Sequence, residues 1–219
     1  MDTILFAGFA IAYILLFVWA LVLVKNSGSA SAAFLLPVIA GLIYDNGILA
    51  AGRFIGEGTT LEFMNDARFW IHAFFTPMLV LYSWNTLKQA GLEWASKGWL
   101  KITAFLLTAG LIMFELFTEV FGLKLEPQWE YNVLSYSSAE AQSGPPLMVL
   151  IVSLVLLVSS IMIWRIQKWF WFFAGSLIMI IGSAIKLPIK SAAAVNAFEL
   201  ILLLSLTATA HFQKKNNSS

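Results

Sequence analysis

Long apolar runs joined by short polar connections organise this chain. Crossing a bilayer takes about 20 mostly apolar residues, and seven runs qualify: residues 3–24, 30–51, 68–87, 99–122, 146–164, 169–185 and 192–212. Lys25 and the turn residues 26–29 close the first. The second passes through Pro37 and carries Asp45 in its last turns. Residues 123–144 form a polar connection holding Trp129, Tyr131 and Tyr136. Pro145 and Pro146 follow, where the first turn of a helix tolerates proline. The predicted fold class is therefore an all-α integral membrane protein with seven transmembrane helices. Residues 1–212 form a single domain and residues 213–219 a polar C-terminal tail. The first and last three helices do not repeat each other, because no motif of the first half recurs in the second.

One stretch breaks the apolar pattern. Between Tyr44 and Pro77 the chain concentrates Asp45, Asn46, Arg53, Glu57, Glu62, Asp66, Arg68 and His72. Its middle, residues 52–67, is glycine-rich, amphipathic and too polar to span. It is predicted to be a lid-like segment between helices two and three.

Composition narrows the class. The chain is 60% hydrophobic and only 11% charged, well below the roughly 25% charged residues of soluble domains. A net charge of +1 lacks the basic surface that nucleic acid demands. Cysteine is absent, which removes disulfides, Fe–S clusters and thiol nucleophiles. Two histidines, His72 and His211, are too few for a bis-histidine haem or a three-histidine zinc site. Covalent retinal needs a lysine within the last helix, and none lies between Lys190 and Lys214. The N-terminal run lacks a basic leader and a small-residue cleavage site, so it reads as a retained helix.

Orientation follows the Lys and Arg of short loops. One side holds Lys25, Lys88, Lys97, Lys101, Arg165, Lys168, Lys214 and Lys215, against Arg53, Arg68, Lys124, Lys186 and Lys190 on the other. This places the N-terminus outside and the C-terminus in the cytoplasm, in a plasma or inner membrane. The run from Trp169 to Phe173 reads as an interfacial aromatic belt.

Depth, at about 1.5 Å per residue, brings polar groups together near the outer face. Asp45 and Asn46 end helix two, and His72 and Thr76 begin helix three. Glu115 and Glu119 lie in the outer third of helix four, and Asn196 and Glu199 in that of helix seven. Ionisable residues within a span are costly and by default mark a functional site. Glu115, Glu199, Asp45 and His72 are the expected catalytic groups. Tyr44, Asn46, Arg53, Glu57, Glu119, Asn196 and Thr76 are the expected substrate contacts. Arg53 would hold an anionic headgroup or tie the lid to Asp45 or Glu57. Arg68 reads as an interfacial anchor, and His211 as interfacial. Phe114, Phe117 and Phe121 beside the glutamates, and Trp70, Phe74 and Phe75 beside His72, are candidate pocket walls or ordinary helix packing.

The leading expectation is an enzyme acting on a lipid or isoprenoid, with carboxylate and histidine acid–base chemistry in an outward-facing intramembrane pocket. Isomerisation, cyclisation or hydrolysis would suit carboxylates in low dielectric. A divalent metal on oxygen ligands is the cofactor this inventory allows. The alternatives are a proton- or cation-coupled transporter or channel, and a non-catalytic subunit or ligand receptor. Transport is disfavoured because the cytoplasmic half looks almost free of buried polar groups.

Overall fold

The structure, a computed structural model, describes residues 2–139, 147–184, 191 and 193–216. The expected proline start at Pro145 and Pro146, Lys186 and Lys190, and the end of the tail lie outside the described residues.

Helix α1 (Asp2–Ser27) is followed by α2 (Ala30–Ile55), α3 (Thr59–Phe75) and α4 (Met78–Gln89). A short 3-10 turn, Glu93–Ser96, leads to α5 (Gly98–Glu115), which runs into a π-turn at Leu116–Val120. Strands β1 (Leu125–Glu130) and β2 (Val133–Ser138) come next, then α6 (Leu147–Gln167), α7 (Trp171–Ala184) and α8 (Ala194–Asn216). Among the described residues, five helices are long and apolar enough to cross a membrane: α1, α2, α5 with its π-turn, α6 and α8.

Helix α1 lies along α2 and touches α8. Helix α2 also packs on α3 and α4, α4 on α6, and α7 between α6 and α8. Tyr13, Leu35, Ile39, Tyr82, Leu203 and Leu206 fill the shared core. Small residues let α7 and α8 approach closely. A side chain at Gly175 would meet Ser205, and one at Gly182 would meet the Phe198 ring.

Three expectations change here. The expected third helix is two helices. It begins at Thr59 and breaks at Thr76-Pro77, because proline has no amide to continue the ladder. The lid is therefore not a separate element. Its residues end α2, form a tight connection at Gly56, Glu57 and Gly58, and start α3. Gly56 and Gly58 hold φ of 84° and 151°, where a β-carbon is strained.

The polar connection is not featureless either. It folds into an antiparallel two-stranded hairpin, a small addition to a mostly helical chain that stays consistent with an all-α membrane protein. Tyr131 and Asn132 form the loop, both with positive φ, as a tight two-residue hairpin turn requires. Strand β1 is largely exposed, while β2 buries Val133, Leu134 and Tyr136. Leu134 and Tyr136 pack with Leu61 of α3 and Ile48 of α2. The Gly58 N–H donates to the Tyr136 hydroxyl at 3.0 Å. The hairpin thus clamps the α2–α3 connection. Gly52 is where it comes closest, since a β-carbon there would run into the Leu134 carbonyl. Gly52→Ala is expected to push β2 off α2 at a cost on the order of 1–3 kcal/mol. Thermal unfolding and limited proteolysis of the hairpin would register it. An unchanged melting point and cleavage pattern would mean the contact is not held.

The third change concerns the opposite end of the bundle, which is not apolar. Ser31 donates to Asn85 at 2.8 Å, and Gln89 donates to both. Gln213 donates to the Thr86 carbonyl and to Gln167, each at 2.9 Å. These groups tie α2, α4, α6 and α8 together, and they are uncharged. The aromatic belt is also divided. Trp171 is exposed, but Phe172 is fully buried against Tyr82, and Trp169 donates to Thr209 while stacking on Phe212.

Candidate intramembrane polar site

Residues four apart share a helix face. On α3 this rule aligns Arg68, His72 and Thr76, with Asn65 a turn earlier. The stripe faces α2, where Gly41 and Asp45 are likewise one turn apart. A β-carbon at Gly41 would sit 2.8 Å from Ile71, so glycine there lets α3 approach Asp45.

Arg68 is the centre of the site. Its Nε donates to Asp45 Oδ1 at 2.7 Å, and its Nη1 donates to Asn65 Oδ1 at 2.7 Å. Asn65, fully buried, donates in turn to the Leu61 carbonyl at 2.8 Å. The Arg68 and Asp45 side chains are only 18% and 28% exposed. Arg68 is therefore not the interfacial anchor its place beside the polar stretch suggested. It is the cation that makes Asp45 tolerable among apolar helices.

Three cavities meet at this pair. The first, of about 120 Å³, runs between α2, α3, α6 and α8. Its walls are apolar, with Leu42, Phe75, Val152, Leu156 and Leu203 among them. Its polar groups are Asp45, Arg68, His72, Thr76, Ser153 and Glu199. The second, of about 240 Å³, is lined by Asp45, Arg68 and His72 together with Glu115 and Glu119. The third, of about 220 Å³, opens under the hairpin, where Glu130, Val133 and Ser135 face Asp45, Arg68 and Asn196.

The expected residues sort themselves by these cavities. Asp45 lines all three and His72 the first two. The His72 Nδ1 and the Thr76 hydroxyl share a hydrogen bond of 3.2 Å. Glu199 and Glu115 do not share a cavity. Glu199 lines the first and Glu115 the second, on either side of the Asp45–Arg68 pair. Glu199 is half-buried and makes no hydrogen bond to the described residues. Glu115 is 4% exposed.

Other expected contacts hold the scaffold. Asn46 is fully buried and accepts from Asn196 at 2.6 Å, joining α2 to α8. The Tyr44 hydroxyl donates to the Met64 carbonyl at 3.0 Å, joining α2 to α3. Arg53 is exposed over the Phe54 ring, outside these three cavities. Glu57 accepts from Trp129 of the hairpin at 3.1 Å. Among the flanking aromatics, Phe75 lines the first cavity, whereas Phe114, Phe117 and Phe121 are exposed.

Sequence reasoning missed the α6 wall formed by Val149, Val152, Ser153 and Leu156. Helix α6 is apolar nearly all round, and Ser153 is the one polar mark on that wall. Among the described residues, no group of three or more His, Asp or Glu is arranged to hold a metal ion. Comparison with known proteins gives no match to a protein family, a curated protein or a solved structure.

Proposed function

We propose that this chain is an integral membrane enzyme that converts a lipid or isoprenoid by acid–base chemistry in an outward-facing pocket. The observation that carries this reading is the first cavity. It joins a long apolar wall to a carboxylate and an imidazole, the arrangement that suits an apolar chain with a reactive polar end. Glu199 acts as the proton donor or acceptor, and it makes no hydrogen bond to the described residues, which leaves its oxygens available to a substrate. His72 is the partner on the facing helix. The Asp45–Arg68 pair fixes the local charge and orients α3 against α2.

The topology that accompanies this reading has seven crossings, α7 and the broken α3–α4 unit completing the five long helices. The N-terminus and the hairpin lie outside, and the C-terminus in the cytoplasm, in a plasma or inner membrane. With Arg68 withdrawn from the loops, the basic residues favour that orientation more strongly. The natural chain has no cysteine, so single cysteines at Asn132 and Asn216 can be labelled selectively. Asn132→Cys is expected to react with an impermeant maleimide from outside and Asn216→Cys only after lysis. The reverse pattern would invert the topology.

Activity is tested by incubating the purified protein with a membrane-lipid extract and a panel of polyprenyl alcohols and phosphates. Mass spectrometry then follows each species. Loss of one species with gain of a matching product supports the reading. Proton or cation flux into protein-bearing liposomes, without any lipid conversion, would replace it with transport.

A further inference from the structure

We propose that the third cavity binds an uncharged, hydroxyl-rich headgroup of sugar type, carried by the lipid whose chain lies in the first cavity. The chain half of this statement rests on the function proposed above, and the head half rests on the hairpin. Side chains alternate across a strand. With Glu130 paired to Val133, Glu130, Val133 and Ser135 share one face of the hairpin, away from Leu134 and Tyr136. Val133 seats that face against Phe6 of α1 and Ala193, and the Thr3 hydroxyl donates to the Asn132 carbonyl at 3.0 Å. This holds Glu130 and Ser135 on the cavity wall, with Asn196 of α8 and the Asp45–Arg68 pair.

This wall keeps open hydrogen-bonding groups of both kinds. The Glu130 carboxylate and the Ser135 hydroxyl make no hydrogen bond to the described residues. Asn196 donates its N–H to Asn46 Oδ1, and its own Oδ1 accepts nothing from them. Arg68 engages Nε and Nη1 with Asp45 and Asn65, which leaves Nη2. Polar atoms that are sealed without a partner, such as Ser137 Oγ and Glu115 Oε2, lie elsewhere, so a guest can reach the groups on this wall. Arg68 and Ser135 donate, while Glu130, Asn196 and Ser135 accept. A hydroxyl does both, and a ring of hydroxyls answers such a wall. A phosphate or carboxylate head would meet Asp45 and Glu130, with one guanidinium that is already paired to Asp45. An ammonium head would sit beside that guanidinium. The size agrees as well. About 220 Å³ holds roughly a dozen or more waters at about 10–15 Å³ each, which matches the about twelve heavy atoms of a hexose. Asp45 and Arg68 also line the first cavity, so head and chain join beside them.

Glu130, Ser135 and Asn196 line the third cavity and not the first, so head binding and lipid turnover can fail separately. The test places the full chain in phosphatidylcholine nanodiscs and measures binding of tritiated n-octyl glucoside below its micellar concentration, with empty nanodiscs as the blank. Saturable binding above the blank is expected. Unlabelled octyl glucoside should compete, methyl glucoside only weakly, and n-octanol, n-octyl phosphate and n-octylammonium chloride not at all. In the double variant Glu130→Gln with Ser135→Ala the affinity should fall tenfold or more, and in Glu199→Gln it should hold. Binding that never saturates would overturn the proposal, as would an unchanged affinity in a folded double variant. Competition by octanol equal to that of octyl glucoside would show that only the chain is recognised, and stronger competition by either charged amphiphile would show a charged head; both overturn it. Methyl glucoside competing as well as octyl glucoside would assign the site to a free sugar and overturn the lipid source. If the double variant does not fold, the order of competitors on the wild type decides. Head-selective binding without turnover of any lipid would remove the enzyme reading and keep this site.

Discussion

Glu199→Gln is expected to lower lipid turnover by about 10²–10⁴-fold, the range a positioned general acid or base contributes. Glutamine keeps the shape and volume of the side chain and removes only its capacity to give or take a proton. The fold should survive the exchange. Glu199 makes no hydrogen bond to the described residues, and the neighbouring contact between α2 and α8 is made instead by Asn46 and Asn196. Circular dichroism and the melting temperature should therefore stay close to wild type while the rate collapses. His72→Gln should lose rate as well, with the Thr76 contact weakened. A Glu199→Gln protein that turns over substrate at the wild-type rate would remove Glu199 from the chemistry. A protein that unfolds would assign it a structural role.

The contrast between Glu199 and Glu115 shows how far the sequence could be read. Depth along a helix is a linear quantity, so the polar level of the site followed from counting residues. That count put Asp45, His72, Glu115 and Glu199 at one height, and the structure gathers all four on cavities that meet at Asp45. Which side of Asp45 each residue occupies depends on the angular placement of helices, and composition carries no trace of it. Arg68 was misjudged for a related reason. Its position suggested a helix end, but α3 begins at Thr59, two turns earlier. The amphipathic stretch that looked like a lid already had the period of a helix. Gly58 at its N-terminal boundary supplies no side-chain cap, although Thr59 and Glu62 have the spacing of a capping box.

Other elements were hidden because they carry little contrast. Strand β1 exposes nearly every residue, and an extended polar segment resembles a loop until its partner is known. Helix α6 contributes a whole wall of the first cavity, yet a helix apolar all round offers no periodicity to choose a face. The amides at the opposite end, such as Asn85, Gln89 and Gln213, lie near helix termini and were not counted among the buried polar groups. The fold turns them inward, where Gln89 donates to Asn85 and Gln213 donates to the Thr86 carbonyl and to Gln167. Their presence removes the argument that the end of the bundle opposite the polar site is too apolar for transport. The case for an enzyme then rests on the first cavity itself.

Arg68→Ala is the substitution expected to damage the fold most. Arginine supplies two charge-assisted hydrogen bonds of 2.7 Å, to Asp45 and Asn65. Removing it strands Asp45 beside cavities that also hold Glu115, Glu119 and Glu199. Breaking a buried pair from one side costs about 3–5 kcal/mol. The partial exposure of both partners, 18% and 28%, brings the expectation down to about 2–4 kcal/mol. For a chain of this size that corresponds to a melting point lower by on the order of 10 °C. Arg68→Lys should recover only part of the loss, because a single ammonium cannot reproduce the fork that spans Asp45 and Asn65. Asp45→Asn alone leaves a partly buried guanidinium short of its anion and should also destabilise. The double variant, Arg68→Ala with Asp45→Asn, should be more stable than the sum of the two losses predicts, since no charge is then stranded. Additive losses in that cycle would mean the pair is not energetically coupled. The role given to Arg68 as the cation that permits Asp45 would then have to be abandoned.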